Sequence, residues 1–203
     1  EMSAEDVLKD YEVSYPLTRS MCAPIGDGAA AAILCSEKFF KGLPAHVRER
    51  AVKVRACTLS GGKHRSISEP SLTKWAAERS YKMAGLSPAD IDVAEVHDAT
   101  SFCEIYQVEM MGFCPIGEGG RFVGSGATML DGQIPINTSG GLVSKGHPIG
   151  ATGVSMIYEV ATQLRQEAKE RQVKKVHYGL VENGGGVISV EEFACGVTIL
   201  ERP

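Results

Sequence analysis

Two rhythms of apolar and polar positions alternate along this chain, and each predicts a different element. Ala29 to Leu34 is a short unbroken apolar run, which predicts a buried strand. Ser36 to Gly42 predicts a helix with a serine cap, because a serine hydroxyl accepts from the free amides of a first turn. Val52 to Leu59 predicts a second strand. Leu72, Trp75, Ala76 and Met83 fall on one side of a helix predicted from Ser71 to Ala84, which Gly85 ends. Val93 to Val96 predicts a strand that delivers His97 to its end, and Ser101 to Met111 predicts the helix that follows. A glycine-rich loop then runs from Gly112 to Gly132, and Val154 to Leu164 predicts a further helix. Lys174 to Val181 and Phe193 to Leu200 predict two closing strands, the second antiparallel to the first. With no internal repeat and no linker, this alternation predicts one α/β domain. Such folds place their chemistry where strands end and helices begin.

Composition narrows the class without naming a chemistry. The 203 residues are 43% hydrophobic and 23% charged with a net charge of −4, values of a soluble globular protein able to bury a core. No apolar run approaches the roughly 20 residues that span a bilayer, and no basic cluster suggests nucleic acid. Cys22, Cys35, Cys57, Cys103, Cys114 and Cys195 form no C-x-x-C pair, which argues against both a zinc site and a disulfide framework. Reduced and mostly buried thiols in a cytoplasmic protein, with no metal, are the expectation.

The stretch from Asn137 to Gly153 changes the picture most. It reads Asn137-Thr138-Ser139-Gly140-Gly141, then Lys145-Gly146-His147-Pro148-Ile149-Gly150-Ala151-Thr152-Gly153. His147 sits between glycine-rich turns directly ahead of a small-residue helical run. That sets an imidazole beside backbone amides at a helix start, the equipment for stabilising an oxyanion and moving protons. A lone Gly-His-Pro would signify a turn and nothing more, but this motif is far longer.

The pattern Asn-x-x-Gly-Gly-x-x-x-x-Gly-His-Pro-x-Gly-x-x-Gly resembles the signature of thiolases. Met2 to Leu8, Pro16-Leu17 and Cys22 to Ala32 resemble the middle of a thiolase of the sterol-carrier and archaeal type. Val96-His97-Asp98-Ala99 resembles its His-Asp box, and Glu182-Asn183-Gly184-Gly185-Gly186 its last glycine loop. The resemblance spans nearly the whole chain. It implies a C-terminal half, 1–203, that includes the end of the N-terminal half and carries a mixed five-stranded sheet covered by helices on both faces. Thiolases are about twice this long and carry their nucleophilic cysteine in the first half. The nucleophile is therefore expected outside this chain, on another polypeptide or another segment.

The resemblance also implies roles. His97 orders a water that, with His147, binds the thioester oxygen, and two donors aimed at one oxygen can each lower a barrier by about 3 kcal/mol. His147 also holds the absent cysteine as a thiolate. Both usual seats of a second, proton-shuttling cysteine are filled by other residues, Ala99 in one and Glu182 or Asn183 in the other. Glu182, or His97 through water, is the candidate acid/base; a plain strand-end residue on the surface is the alternative for Glu182. Gly146, Gly184, Gly185 and Ser144 are candidates for substrate and coenzyme A, with Lys145 a weaker one. The Gly117 to Gly126 stretch could cover an acyl tunnel, and the basic segment Gly61 to Arg65 could meet a phosphate.

The implied activity is that of an acyl-CoA thiolase, making or cleaving a 3-ketoacyl-CoA with coenzyme A as substrate or product. A retro-aldolase on a 3-hydroxyacyl-CoA of the steroid side-chain type, and a non-catalytic lipid-binding scaffold, are the alternatives. Implied partners are the N-terminal half, a second copy in a homo-oligomer, and a small zinc-ribbon/OB-fold subunit.

Overall fold

The computed structural model describes residues 2–202. The first part of the chain is sparsely packed: α1 (Ala4–Lys9), the short antiparallel ribbon of β1 (Glu12–Ser14) and β2 (Leu17–Thr18), then α2 (Glu37–Lys41) and α3 (Ala45–Arg48). The α2 helix forms where the serine cap predicts it, with the Ser36 hydroxyl accepting from the Phe39 amide. Ala29 to Leu34 is not a strand but exposed coil, with Ile33 97% and Leu34 83% exposed. A strand needs a ladder partner for its amides, and among the described residues this run has none.

The remaining elements build one layered unit: β3 (Lys53–Gly61), α4 (Leu72–Ala84), β4 (Val93–Glu95), α5 (Ser101–Met110), α6 (Gly119–Gly124), α7 (Gly141–Lys145), α8 (Thr152–Leu164), β5 (Tyr178–Gly185) and β6 (Ala194–Glu201). The expected glycine-rich loop thus contains a helix, α6, whose Gly119 amide donates to the Glu109 carboxylate at 2.8 Å. The sheet runs β3-β6-β5-β4, with β4 parallel to β5 and the other pairs antiparallel.

The sheet is mixed, as expected, but has four strands rather than five. The fifth place, beside β4, is held only by a single parallel bridge between Ala94 and Ile136. The Ala94 amide donates to the Pro135 carbonyl at 3.0 Å, and the Asn137 amide donates to the Ala94 carbonyl at 2.9 Å. Pairing stops there because Pro135 has no N–H, and Asn137, at φ 53°, has left the extended region.

Alternate residues of β5 and β6 serve opposite faces, and helices cover both. Leu180, Cys195, Val197 and Ile199 pack beneath α4 and α5. Val93, Val181 and Leu200 pack against Met156, Val160 and Leu164 of α8. Each of those three fully buried α8 side chains contributes about 2 kcal/mol by leaving water. Close approach of α8 depends on Gly179, where a β-carbon would sit 2.3 Å from a Val160 methyl.

The α4 helix has the expected cap and stop: Ser71 accepts from the Lys74 amide, and Gly85 follows at φ 71°. Its buried face differs from the expected one. Leu72, Thr73, Ala76, Ala77, Ser80, Tyr81 and Ala84 face the sheet, while Trp75 and Met83 point outward. Small residues let the helix lie close, and its polar ones are satisfied, Ser80 bonding Thr58 at 2.6 Å and the Val197 carbonyl at 2.9 Å. Trp75 instead lies under the Lys63 ammonium, 5.2 Å from the ring centre.

All six cysteines are free, but only Cys195 is buried; Cys35 and Cys57 are exposed, and the other three are half-buried. That corrects the expectation of mostly buried thiols. Among the described residues, no helix is long and apolar enough to cross a membrane.

Candidate active site

The site assembles where β4 and β5 end and α8 begins. Parallel pairing of Glu95 with Val181 carries the chain beyond β4 alongside Glu182, and the His97 amide donates to the Glu182 carboxyl at 2.9 Å. His147 reaches the same place from the motif loop, where its amide donates to the Pro24 carbonyl at 2.8 Å. Its Nδ1 lies 2.8 Å from the hydroxyl of Thr152, the first residue of α8. The two imidazoles meet edge to face, with ring centres 5.0 Å apart and planes inclined at 71°.

Burial, and then the neighbouring His147, lower the His97 pKa to about 4. His97 is therefore neutral at physiological pH, able to donate one N–H to a developing anion without itself bringing a charge. The structure thus brings His97 and His147 together. The Asn183 side chain lies over Gly153 at the start of α8, 3.4 Å from where a β-carbon on that glycine would be. Its Oδ1 is buried and has no hydrogen-bond partner among the described residues. A buried unpaired acceptor at the start of α8 can be satisfied by a donor on a ligand or an ordered water.

Glu182 is fully buried, so it is not a strand-end residue on the surface; β5 continues past it to Gly185. Burial, and secondarily the Glu192 carboxylate, raise its pKa to about 8. Its contacts are the His97 amide and, at 3.5 Å, the Cys195 thiol, so it touches the site through backbone rather than through an imidazole nitrogen.

The four candidate substrate positions separate. Gly185 is exposed with open space around it, and Ser144 is exposed on α7. Gly146 is half-buried at φ 94°. Gly184 is buried and turned toward Glu192, whose carboxylate lies 2.6 Å from where its β-carbon would be. Lys145 is occupied internally, donating to the Ser139 hydroxyl at 2.7 Å and lying 3.8 Å from the Glu95 carboxylate. The basic segment ending at Arg65 is likewise occupied: Arg65 forms a buried ion pair with Glu191 at 2.6 Å.

The contacts of several site residues escaped the sequence reading. Thr152 orients His147. Asp98, 5% exposed, accepts from the Leu142 amide at 2.7 Å and the Val143 amide at 3.4 Å. Glu95 accepts from the Ser139 amide at 3.0 Å and the Ser139 hydroxyl at 2.5 Å, and burial raises its pKa to about 7. A glutamate set inside the apolar run Val93 to Val96 was the available signal for it.

Two imidazoles meeting at the start of a helix can donate hydrogen bonds to a developing negative charge. Residues 60–202 match the family described as thiolase C-terminal domain-like, and the chain belongs to the thiolase family. It is 43% identical over 188 residues to acetyl-CoA acetyltransferase of Methanothermobacter thermautotrophicus, covering 91% of this chain and 49% of that protein. It is 41% identical over 193 residues to sterol carrier protein 2 of Oryctolagus cuniculus, covering 91% of this chain and 35% of that protein. The chain thus spans about half or less of the length of these relatives. The solved Ltp2-ChsH2(DUF35) aldolase superposes with a TM-score of 0.80 at 21% identity, over 99% of this chain and 51% of that one, a likeness of fold.

Proposed function

We propose that this chain supplies the C-terminal half of an acyl-CoA thiolase, which makes or cleaves 3-ketoacyl-CoA through a cysteine-bound acyl intermediate. The meeting of His97 and His147 at 5.0 Å carries this reading, and the 43% identity to an acetyl-CoA acetyltransferase supports it. In the cleavage direction, a cysteine thiolate from the N-terminal half attacks the 3-keto carbon. The bond between the α- and β-carbons breaks, and its electron pair passes to an acyl-CoA enolate. His147 and a water on His97 hold the enolate oxygen by hydrogen bonds, which matter most where charge develops in a water-poor site. Glu182, protonated at the start, gives its proton to the α-carbon and regains one from the coenzyme A thiol, whose thiolate displaces the acyl group from cysteine. His147, its Nδ1 held by Thr152, is placed to accept the cysteine proton and keep the thiolate formed. Glu182 or Asn183 stands in the seat of the second cysteine, with Glu182 as acid/base. Gly146, Gly185 and Ser144 border coenzyme A, with Gly184 supporting from beneath.

The N-terminal half lies on the same or a separate chain, and the assembled protein forms homo-oligomers. A small zinc-ribbon/OB-fold subunit is the further partner, supported by the DUF35 component in the name of the structural neighbour. Six free thiols fit a cytoplasmic setting.

The test is the intact mass of every polypeptide in the assembled protein, denatured before and after brief exposure to acetyl-CoA. An acyl adduct on a cysteine outside these residues is the expected result. Absence of any adduct, with cleavage that needs no coenzyme A and releases a ketone or aldehyde, would replace this reading by retro-aldol chemistry on a 3-hydroxyacyl-CoA. The non-cysteine residues in both second-cysteine seats favour that second reading. No turnover of either kind would leave a lipid-binding scaffold.

A further inference from the structure

We propose that Asp98 is a positioning residue that fixes the spacing of the His97 and His147 imidazoles by tying the end of β4 to α7. The inference rests on the reading of those two histidines as the reacting pair. The ring nitrogens of His97 make no hydrogen bond among the described residues, so backbone and neighbours alone place that ring. The next residue along the chain is Asp98, and one of its carboxylate oxygens accepts from the Leu142 amide at 2.7 Å while the other faces the Val143 amide at 3.4 Å. The Leu142 carbonyl in turn accepts from the Gly146 amide at 3.0 Å, and Gly146 is bonded to His147. One carboxylate, two helical amides and one helix-closing hydrogen bond therefore join the two histidines by a continuous short path.

The backbone is shaped around that carboxylate. Gly141, at φ 64°, would place a β-carbon 2.3 Å from Asp98 Oδ2, so the carboxylate occupies the space of a side chain there. Two amides converging on two oxygens also suit a carboxylate better than an amide side chain, whose NH2 would face one of the N–H groups. From the opposite side, the Pro24 carbonyl holds the His147 amide and Thr152 holds its Nδ1, so Asp98 completes the frame on the His97 side.

The experiment compares Asp98→Asn and Asp98→Ala with wild type in the chain assembled with its N-terminal half. Misplacing a catalytic group by about 1 Å can cost about a hundredfold in rate. The expected result is a kcat about tenfold lower for Asp98→Asn and about a hundredfold lower for Asp98→Ala, with KM within about threefold. A second readout needs no turnover: the His97 imidazole, followed by NMR, titrates at higher pH in Asp98→Asn, because it loses proximity to His147 and gains water. Wild-type kcat in both variants would overturn the proposal, and so would a kcat loss matched by lost folded protein with an unmoved His97 titration. If Asp98→Ala does not fold, Asp98→Asn decides. Wild type without acyl transfer, combined with a moved His97 titration, leaves the positioning role standing and removes the thiolase reading.

Discussion

Replacing Glu182 by glutamine tests the electrostatics of the site most directly. The carboxyl is fully buried, and its pKa is raised from 4.5 to about 8. Because the folded value lies above the unfolded one, the stability linked to this proton is complete below pH 4.5. It is lost as pH rises through about 8. Glutamine mimics the protonated acid: its carbonyl can still accept from the His97 amide, and its NH2 takes the place of the acidic hydroxyl. Each pH unit between the two values corresponds to about 1.4 kcal/mol. The difference in unfolding free energy between variant and wild type should therefore shift by about 4 kcal/mol in favour of glutamine from pH 5 to pH 8.5. Taking that difference cancels the titrations both proteins share, those of Glu95, near 7, and His97, near 4. Urea unfolding at a series of pH values measures it. A difference that stays flat across this range would refute the reasoning, since it would mean the buried carboxyl carries no raised pKa. Turnover of the same variant separates chemistry from stability: intact activity removes Glu182 as the acid/base, whereas lost activity with preserved stability retains it.

Other expectations are simpler to test. His147→Ala should lower kcat by at least a hundredfold while leaving the thermal midpoint nearly unchanged, as steady-state kinetics and a melting scan would show. Gly141→Ala forces a β-carbon into the Asp98 carboxylate at a positive φ. It should cost about 2 kcal/mol or more in urea unfolding, and a cost below about 0.5 kcal/mol would contradict the geometry. Arg65→Ala leaves Glu191 buried and without its ion-pair partner. A loss of about 3 kcal/mol or more is expected, and double substitution with Glu191→Gln should recover part of it.

The elements that were legible in the sequence are those with local instructions. Ser36 and Ser71 cap their helices, Gly85 turns α4 off, and α8 forms over the helical run that ends at Leu164, because caps and helical runs act over a few residues. His97 and His147 were legible as motif residues because glycines and strand ends around them are local signs too. What was not legible depended on distant partners. Ala29 to Leu34 reads as a strand by composition, but a strand exists only with a neighbour. The fifth strand shrank to one bridge through the chemistry of Pro135 and the backbone of Asn137. The face of α4 was misjudged because Thr73 and Ser80 face inward to partners on other elements, which hydropathy cannot register. The burial of Glu182 follows from helices covering both faces of β5, so that Gly179 to Glu182 are all buried, whereas the glycines after it read as a loop. Asp98 is legible as part of the His-Asp box, but its hold on α7 is not, because its partners lie more than forty residues away in the chain.

The solvent-facing run at Ala29 to Leu34 bears on how such a protein must be made. A stretch rich in alanine, isoleucine and leucine, uncharged and free of proline, is the kind of segment that pairs with copies of itself when left bare. During synthesis it leaves the ribosome before any strand of the main sheet, so it waits longest for a partner. Production of this chain by itself is therefore expected to favour insoluble material.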